Sequence, residues 1–197
     1  MMSKTRNIGL FFGTFNPIHN GHLIMGNHIA EFGPVDEVWF VITPQSPFKQ
    51  KASMLENHHR YELVYRATEN YPRLKPSKIE FDMPMPNYTS KTLGVLLEKY
   101  PDYHFHLIMG EDNLVGFKKW KNWEYLLEQH HLIVCPRIQH KKIPEDLVNH
   151  PKIKFVDCPL VEISSSFIRK AIKDNKDIRP LLPEKVWQYV DEMNFFR

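Results

Sequence analysis

The sequence predicts an α/β fold: a Rossmann-like doubly wound, mostly parallel sheet with helices on both faces, forming one domain over residues 1–197. Three observations carry that prediction. The chain opens as an apolar run, a turn, a helix and a second apolar run, a strand-helix-strand order that implies a right-handed crossover and a parallel pairing. Short apolar runs of strand length then alternate with segments of helical period to the end of the chain. A length of 197 residues, with 42% hydrophobic and 25% charged residues, suffices for one sheet covered on both sides.

The first strand is the apolar run at 8–12, broken at Gly13. A helix restarts after Pro17 with Ile24, Met25, His28 and Ile29 at helical spacing and ends near Phe32, Gly33 and Pro34. Residues 37–43 read as a second buried strand, and 44–55 as a proline-containing loop leaving its carboxyl end, where ligands lie in open α/β sheets. Lys49 sits in that loop; an exposed loop lysine is ordinarily only solvated, but this one starts from the same sheet edge as the Gly13 turn.

Helical spacing returns at 58–67, with Tyr61, Val64, Tyr65 and Thr68 on one side. Residues 77–81 read as a short strand and 82–87 as a loop punctuated by prolines. A helix opens at Tyr88 and runs to about Lys99, with Thr89 as a candidate cap. The strand at 103–109 ends in Gly110, Glu111, Asp112 and Asn113, again at the carboxyl edge.

A short basic connector at 118–122 leads to a helix at 123–129, where Trp123, Leu126, Leu127 and His130 share one face. Trp120 lies outside that periodicity. The strand at 132–135, a polar surface excursion at 136–151 and a last strand at 154–157 follow. The chain closes with a helix opened by Ser164, Ser165 and Ser166 and an amphipathic helix at 183–193.

Composition narrows the function classes. No apolar run approaches the roughly 20 residues of a membrane span, and the run after the basic N-terminus is too short for a signal peptide, so a cytoplasmic protein without membrane contact is expected. Cys135 and Cys158 end apolar runs and read as buried thiols rather than a disulfide framework. A formal charge of +3, with eleven histidines counted neutral, comes with only short basic runs at 118–121 and 141–142. Nucleic-acid binding calls for a concentrated stripe with interleaved aromatics, so a small anionic ligand is the better reading. His104 and His106 alternate on one strand without a third ligand nearby and read as packed or surface residues.

The run GTFNPIHNGH at 13–22 is where anion chemistry concentrates. A helix start leaves backbone N–H groups unpaired at the positive end of the dipole, so a phosphate there meets both donors and favourable charge. His19 and His22 frame Gly21, and both imidazoles can donate to the same phosphate oxygens. Two histidines three apart also fit a metal pair or exposed polar residues. A second cluster, ISSSFIR at 163–169, sets hydroxyls and free backbone donors at a helix start, with Arg169 one turn on; such a serine cluster is often only a cap.

Gly13, Phe15, Asn16, Pro17, His19, Gly21 and His22 together resemble the G-x-F-[DN]-P-x-H-x-G-H mark of the nucleotidyltransferase superfamily. Two departures stand out. Phe12 replaces a second glycine and Asn16 an aspartate, and asparagine still makes Asx-type turn bonds. The 163–169 run matches the superfamily's second mark, I-S-S-[ST]-x-[IV]-R, which contacts the ATP triphosphate.

The middle of the chain is similar to bacterial nicotinate-nucleotide adenylyltransferases, through Pro44, Phe48 and Lys49, Tyr88 to Leu93, Gly110 to Asp112, and Lys119 with Trp120. The resemblance spans about residues 7–195. It implies AMP transfer from ATP to nicotinate mononucleotide, with His19, His22 and Arg169 as catalytic donors. Gly13, Thr14, Phe15, Gly110, Asp112, Ser164 and Ser165 would join them around ATP, and Lys49, Thr89 and Trp120 would meet the pyridine nucleotide. Mg²⁺ would be held by ATP phosphates and water, with no protein metal ligands. Transfer to nicotinamide mononucleotide or phosphopantetheine, and a non-catalytic nucleotide-binding module, are the competing readings.

Overall fold

The structure, a computed structural model, describes residues 5–44, 54–138 and 142–197. Its elements run β1 (Arg6–Gly13), α1 (Asn20–Phe32), β2 (Glu37–Ile42), α2 (Asn57–Thr68), β3 (Leu74–Ser77), α3 (Thr89–Lys99), β4 (Tyr103–Gly110), α4 (Glu111–Val115), α5 (Trp123–Gln129), β5 (Leu132–Cys135), α6 (Glu145–Val148), β6 (Ile153–Phe155), α7 (Ser165–Lys173) and α8 (Glu184–Glu192). The strands form one sheet in the order β3-β2-β1-β4-β5-β6, and every pairing is parallel.

The period-2 alternation of the strands divides the core in two. Phe11, Phe40, Ile42, Ile108 and Ile133 point to one face and pack with Ile29 of α1, Leu63 and Val64 of α2, Ile168 of α7 and Val186 of α8. Leu10, Val41, Leu107, Met109, Leu132 and Val134 point to the other and pack with Leu93 and Leu96 of α3 and Leu126 and Leu127 of α5. Both faces are therefore covered by helices, as expected of a doubly wound sheet.

Two strands lie elsewhere than expected. The third is 74–77, not 77–81; Leu74 is its one fully buried residue, and Pro76 is tolerated because this strand is an edge. The last is Ile153–Phe155, so Val156 and Asp157 fall outside it. The polar excursion after β5 contains the single-turn helix α6. Cys135 and Cys158 are buried free thiols with their sulfurs in contact at 2.7 Å. His106 packs inward with Nε2 3.1 Å from Asn7 Oδ1, while His104 is exposed. Among the described residues no helix is long and apolar enough to cross a membrane.

The winding reverses between β1 and β4: the chain builds outward to β2 and β3 on one side, then to β5 and β6 on the other. Helices on either side of that break cannot close over it, so a crevice opens at the carboxyl ends of these two strands, beside Gly13 and Gly110.

Candidate active site

Two cavities meet in that crevice. The larger, about 950 Å³, lies between the β1–α1 turn, the end of β4 and the start of α7; the smaller, about 390 Å³, lies between the same turn and the start of α3. Phe11, Phe12, Gly13, Thr14 and Asn113 line both, so the turn at Gly13 forms their shared wall.

The turn owes its shape to its buried residues. Phe15 takes φ 45°, in the left-handed region, and its ring is buried edge-on to Phe11 and Phe40. Asn16 is buried too, and its Oδ1 accepts the Leu55 N–H at 3.1 Å, tying the turn to the approach to α2.

Behind the turn stands a residue that sequence reading placed only within a helix. Arg60 of α2 is fully buried, and its guanidinium donates to the carbonyl oxygens of Thr14 and Thr43 at 2.8 Å, Leu55 at 3.0 Å and Pro44 at 3.1 Å, and to Asn57 Oδ1 at 2.6 Å. Burial lowers its pKa to about 10, which still leaves it charged at neutral pH. One cation thus fixes the Gly13 turn and the exit of β2.

His19 is the N-cap of α1 and is 2% exposed. Its ring stacks on that of His22, centroids 3.7 Å apart. The His19 backbone N–H donates to His22 Nδ1 at 3.3 Å, which places the neutral His22 proton on Nε2 and makes that nitrogen a donor. Burial, reinforced by the Arg137 charge, lowers the His19 pKa to about 4, so His19 is a neutral hydrogen-bonding group at pH 7. A Cβ on Gly21 would sit 3.1 Å from His19 Nδ1, so the glycine also leaves room for this stack.

The three serines divide their work. Ser164 Oγ caps α7 by accepting the Phe167 N–H at 3.1 Å, Ser165 Oγ donates to the Pro17 carbonyl at 2.8 Å, and Ser166 Oγ accepts from Arg169 Nη2 at 3.3 Å. Arg169 Nη1 donates to the Asn16 carbonyl at 2.8 Å. The start of α7 is therefore bound to the start of α1, and two helix N-termini face one cavity with a guanidinium between them.

At the end of β4, a Cβ on Gly110 would run into Asp112 Oδ1 and come within 3.0 Å of the Arg137 side chain. Arg137 crosses the strand end there: its N–H donates to Glu111 and its Nη1 to the Val161 carbonyl, both at 3.0 Å, and its Nε lies 3.9 Å from Asp112. Arg137 lines the large cavity and was not anticipated. Its position two residues beyond the last residue of β5 was the available signal, since the carboxyl-edge rule that selected Gly110 and Asp112 applies equally there.

Every residue expected around ATP lines the large cavity: Gly13, Thr14, Phe15, His19, His22, Gly110, Asp112, Ser164, Ser165 and Arg169. Thr89 and Trp120 line the small one, together with Lys119 and Lys121. Lys49 lies outside the described residues. Thr89 is the first residue of α3, with Tyr88 as the cap, so it offers a helix-start N–H instead of a capping hydroxyl. Trp120 and Trp123 are both half-buried against the core around α3 and α5, so Trp123 is less purely a core residue than its periodicity suggested. Lys118, in the basic connector, pairs with Asp146 at 2.7 Å.

A parallel sheet with a donor-rich crevice at its switch point defines a nucleotide-binding α/β protein. The cytidylyltransferase-like family model matches residues 10–171, from β1 into α7. The chain belongs to that family and, within it, to the nicotinate-nucleotide adenylyltransferases. A Christiangramia forsetii protein named "Probable nicotinate-nucleotide adenylyltransferase" is 58% identical over 192 residues, 98% of this chain and 99% of its own. A Flavobacterium johnsoniae protein of the same name is 54% identical, covering 96% of this chain and 98% of its own. Among solved structures, Plasmodium falciparum nicotinic acid mononucleotide adenylyltransferase complexed with NaAD superposes with a TM-score of 0.82 at 25% identity, over 97% of both chains.

Proposed function

We propose that this protein transfers AMP from ATP to nicotinate mononucleotide, releasing pyrophosphate and forming nicotinate adenine dinucleotide in the synthesis of NAD in the cytoplasm. The observation that carries the reading is the pair of cavities joined across the Gly13 turn. The cationic cavity has the donors a triphosphate requires. The smaller one has a helix start, an indole and lysines for an aromatic carboxylate. The names borne by relatives of 54–58% identity point the same way.

An oxygen of the mononucleotide 5′-phosphate attacks the α-phosphorus of ATP, and the bond from that phosphorus to the β-bridging oxygen breaks. The attacking group is already an anion, so no general base is needed. The protein's contribution is alignment of the two phosphates and neutralisation of developing charge. His22 Nε2, His19, Arg169, Arg137 and the starts of α1 and α7 are the groups positioned for it.

Mg²⁺ belongs to the same proposal, and when bound it would draw charge from the departing pyrophosphate. Among the described residues no group of three or more histidine, cysteine or acidic side chains could hold a metal. Asp112 and Glu162 are the carboxylates of the large cavity, and Asp112 faces Arg137. Such a donor set fits an ion held mainly by phosphate oxygens and water.

Pyrophosphate release with ATP should be followed in parallel for nicotinate mononucleotide, nicotinamide mononucleotide and phosphopantetheine. The expected result is strong preference for the first. Equal use of the amide would overturn the acceptor assignment, and no release with any acceptor would favour a binding module.

A further inference from the structure

The small cavity holds two acceptor atoms that neither the phosphate turn nor the start of α3 explains. Glu80 and Asn87, 2% and 5% exposed, both line it. Glu80 Oε2 and Asn87 Oδ1 are buried and accept no hydrogen bond of ordinary geometry among the described residues, the Thr43 hydroxyl standing beside the Glu80 carboxyl as a weaker donor. Their other polar atoms are engaged. Glu80 Oε1 accepts from the Thr92 hydroxyl at 2.7 Å, and Asn87 Nδ2 donates to the Glu80 carbonyl at 3.3 Å, so neither side chain can turn without breaking a bond. A buried acceptor left unpaired is costly, and two in one cavity call for a ligand bearing donors.

On the functional reading above, the ligand's own chemistry says which part they meet. A nicotinate carboxylate carries no proton to donate, and a phosphate dianion carries none either; both would be repelled by a glutamate. The donors of the mononucleotide are its ribose hydroxyls. Position agrees. The Glu80 carboxyl is flanked by Thr43, whose N–H donates to the Gly13 carbonyl at 2.9 Å at the phosphate end, and by Thr92 in the first turn of α3 at the ring end. The ribose of a nucleotide stretched between those ends passes beside Glu80.

We propose that Glu80 Oε2 and Asn87 Oδ1 form an acceptor pair that receives the 2′- and 3′-hydroxyls of the acceptor mononucleotide, making them specificity-determining residues for a ribose. The assignment rests on the nicotinate mononucleotide reading. Burial raises the Glu80 pKa while the Thr92 and Thr43 hydroxyls oppose it. The pair accepts most strongly where the carboxylate is ionised, and burial moves that range to higher pH than for a free glutamate.

The test compares nicotinate mononucleotide with its 2′-deoxy and 3′-deoxy analogues on the wild-type protein, on Glu80→Gln and on Asn87→Ala, by pyrophosphate release at saturating ATP, with thermal melting alongside. Wild type should lose about 10- to 100-fold in kcat/KM on at least one analogue, since a hydrogen bond to a charged group is removed. Glu80→Gln keeps the acceptor for Thr92 but turns an NH₂ toward the hydroxyl. It should raise KM for the ribonucleotide and erase most of the discrimination, with KM for ATP unchanged.

Wild type that uses both analogues as well as the parent would overturn the assignment without needing any variant. Both variants retaining wild-type discrimination would overturn it as well. Absence of any turnover with ATP and nicotinate mononucleotide would instead defeat the functional reading and take this assignment with it.

Discussion

Arg169 Nη1 donates to the Asn16 carbonyl at 2.8 Å, joining residues 153 positions apart and bringing the starts of α1 and α7 into one wall. The same guanidinium, through Nη2, reaches Ser166 Oγ at 3.3 Å. Arg169→Ala should therefore raise KM for ATP and lower kcat, by about 10²- to 10³-fold in kcat/KM. Lysine should recover only part, because an ammonium lacks the planar fork that serves carbonyl, hydroxyl and phosphate together. Steady-state kinetics with ATP varied decides it: unchanged KM and kcat would reduce Arg169 to a structural tether.

His22 presents Nε2–H because its Nδ1 is occupied by the His19 backbone N–H. His22→Ala is expected to lower kcat by about 10²- to 10³-fold, as for removal of one preorganised donor. The ring is half-buried, edge-on to Phe11 and Phe15, so the melting temperature should fall only modestly. Near-normal kcat in a folded variant would remove His22 from the chemistry.

Trp120 and Trp123 separate function from packing. Both are half-buried against one core, but Trp120 lines the small cavity while Trp123 takes the Lys118 ammonium over its ring at 5.5 Å. Trp120→Ala should raise KM for nicotinate mononucleotide much more than for ATP, and Trp123→Ala should chiefly lower stability. Equal effects of Trp120→Ala on both KM values would assign it to packing alone.

Arg60→Met should cost on the order of 3–5 kcal/mol of stability, because it strips the hydrogen-bond donor from four main-chain carbonyls and one side-chain oxygen at once. Urea denaturation measures this. A loss below about 1 kcal/mol would mean that water replaces the guanidinium without difficulty.

Acid should weaken the fold before most carboxylates titrate. His19 and His106 have pKa values lowered to about 4 from 6.5, chiefly by burial, and that of His130 is lowered by the same cause. Between these limits the unfolded chain binds protons that the folded one does not. Stability is thus full above pH 6.5 and falls as pH drops toward 4, by up to about 1.4 kcal/mol per pH unit for each site. Urea midpoints taken from pH 7.5 to 4.5 should show that slope, and His106→Gln should make it shallower; a flat profile in the wild type would contradict the burial argument.

What could be read from the chain alone was whatever local chemistry dictates. Strand and helix periods place the elements and the doubly wound class, and the two motifs at 13–22 and 163–169 name most of the groups that line the large cavity. Such signals survive because periodicity and helix starts depend on near neighbours. The edge strand at 74–77 escaped because pairing on one side only asks for little hydrophobic alternation and admits Pro76. The meeting of residues distant in sequence belonged to the tertiary structure: Arg60 under Thr14 and Thr43, and Arg137 over Gly110. Each is an ordinary polar residue in its own segment. It acquires a role only when sheet order and helix packing set it, buried, against the unpaired polar groups of another segment, and no pattern within either segment records that meeting.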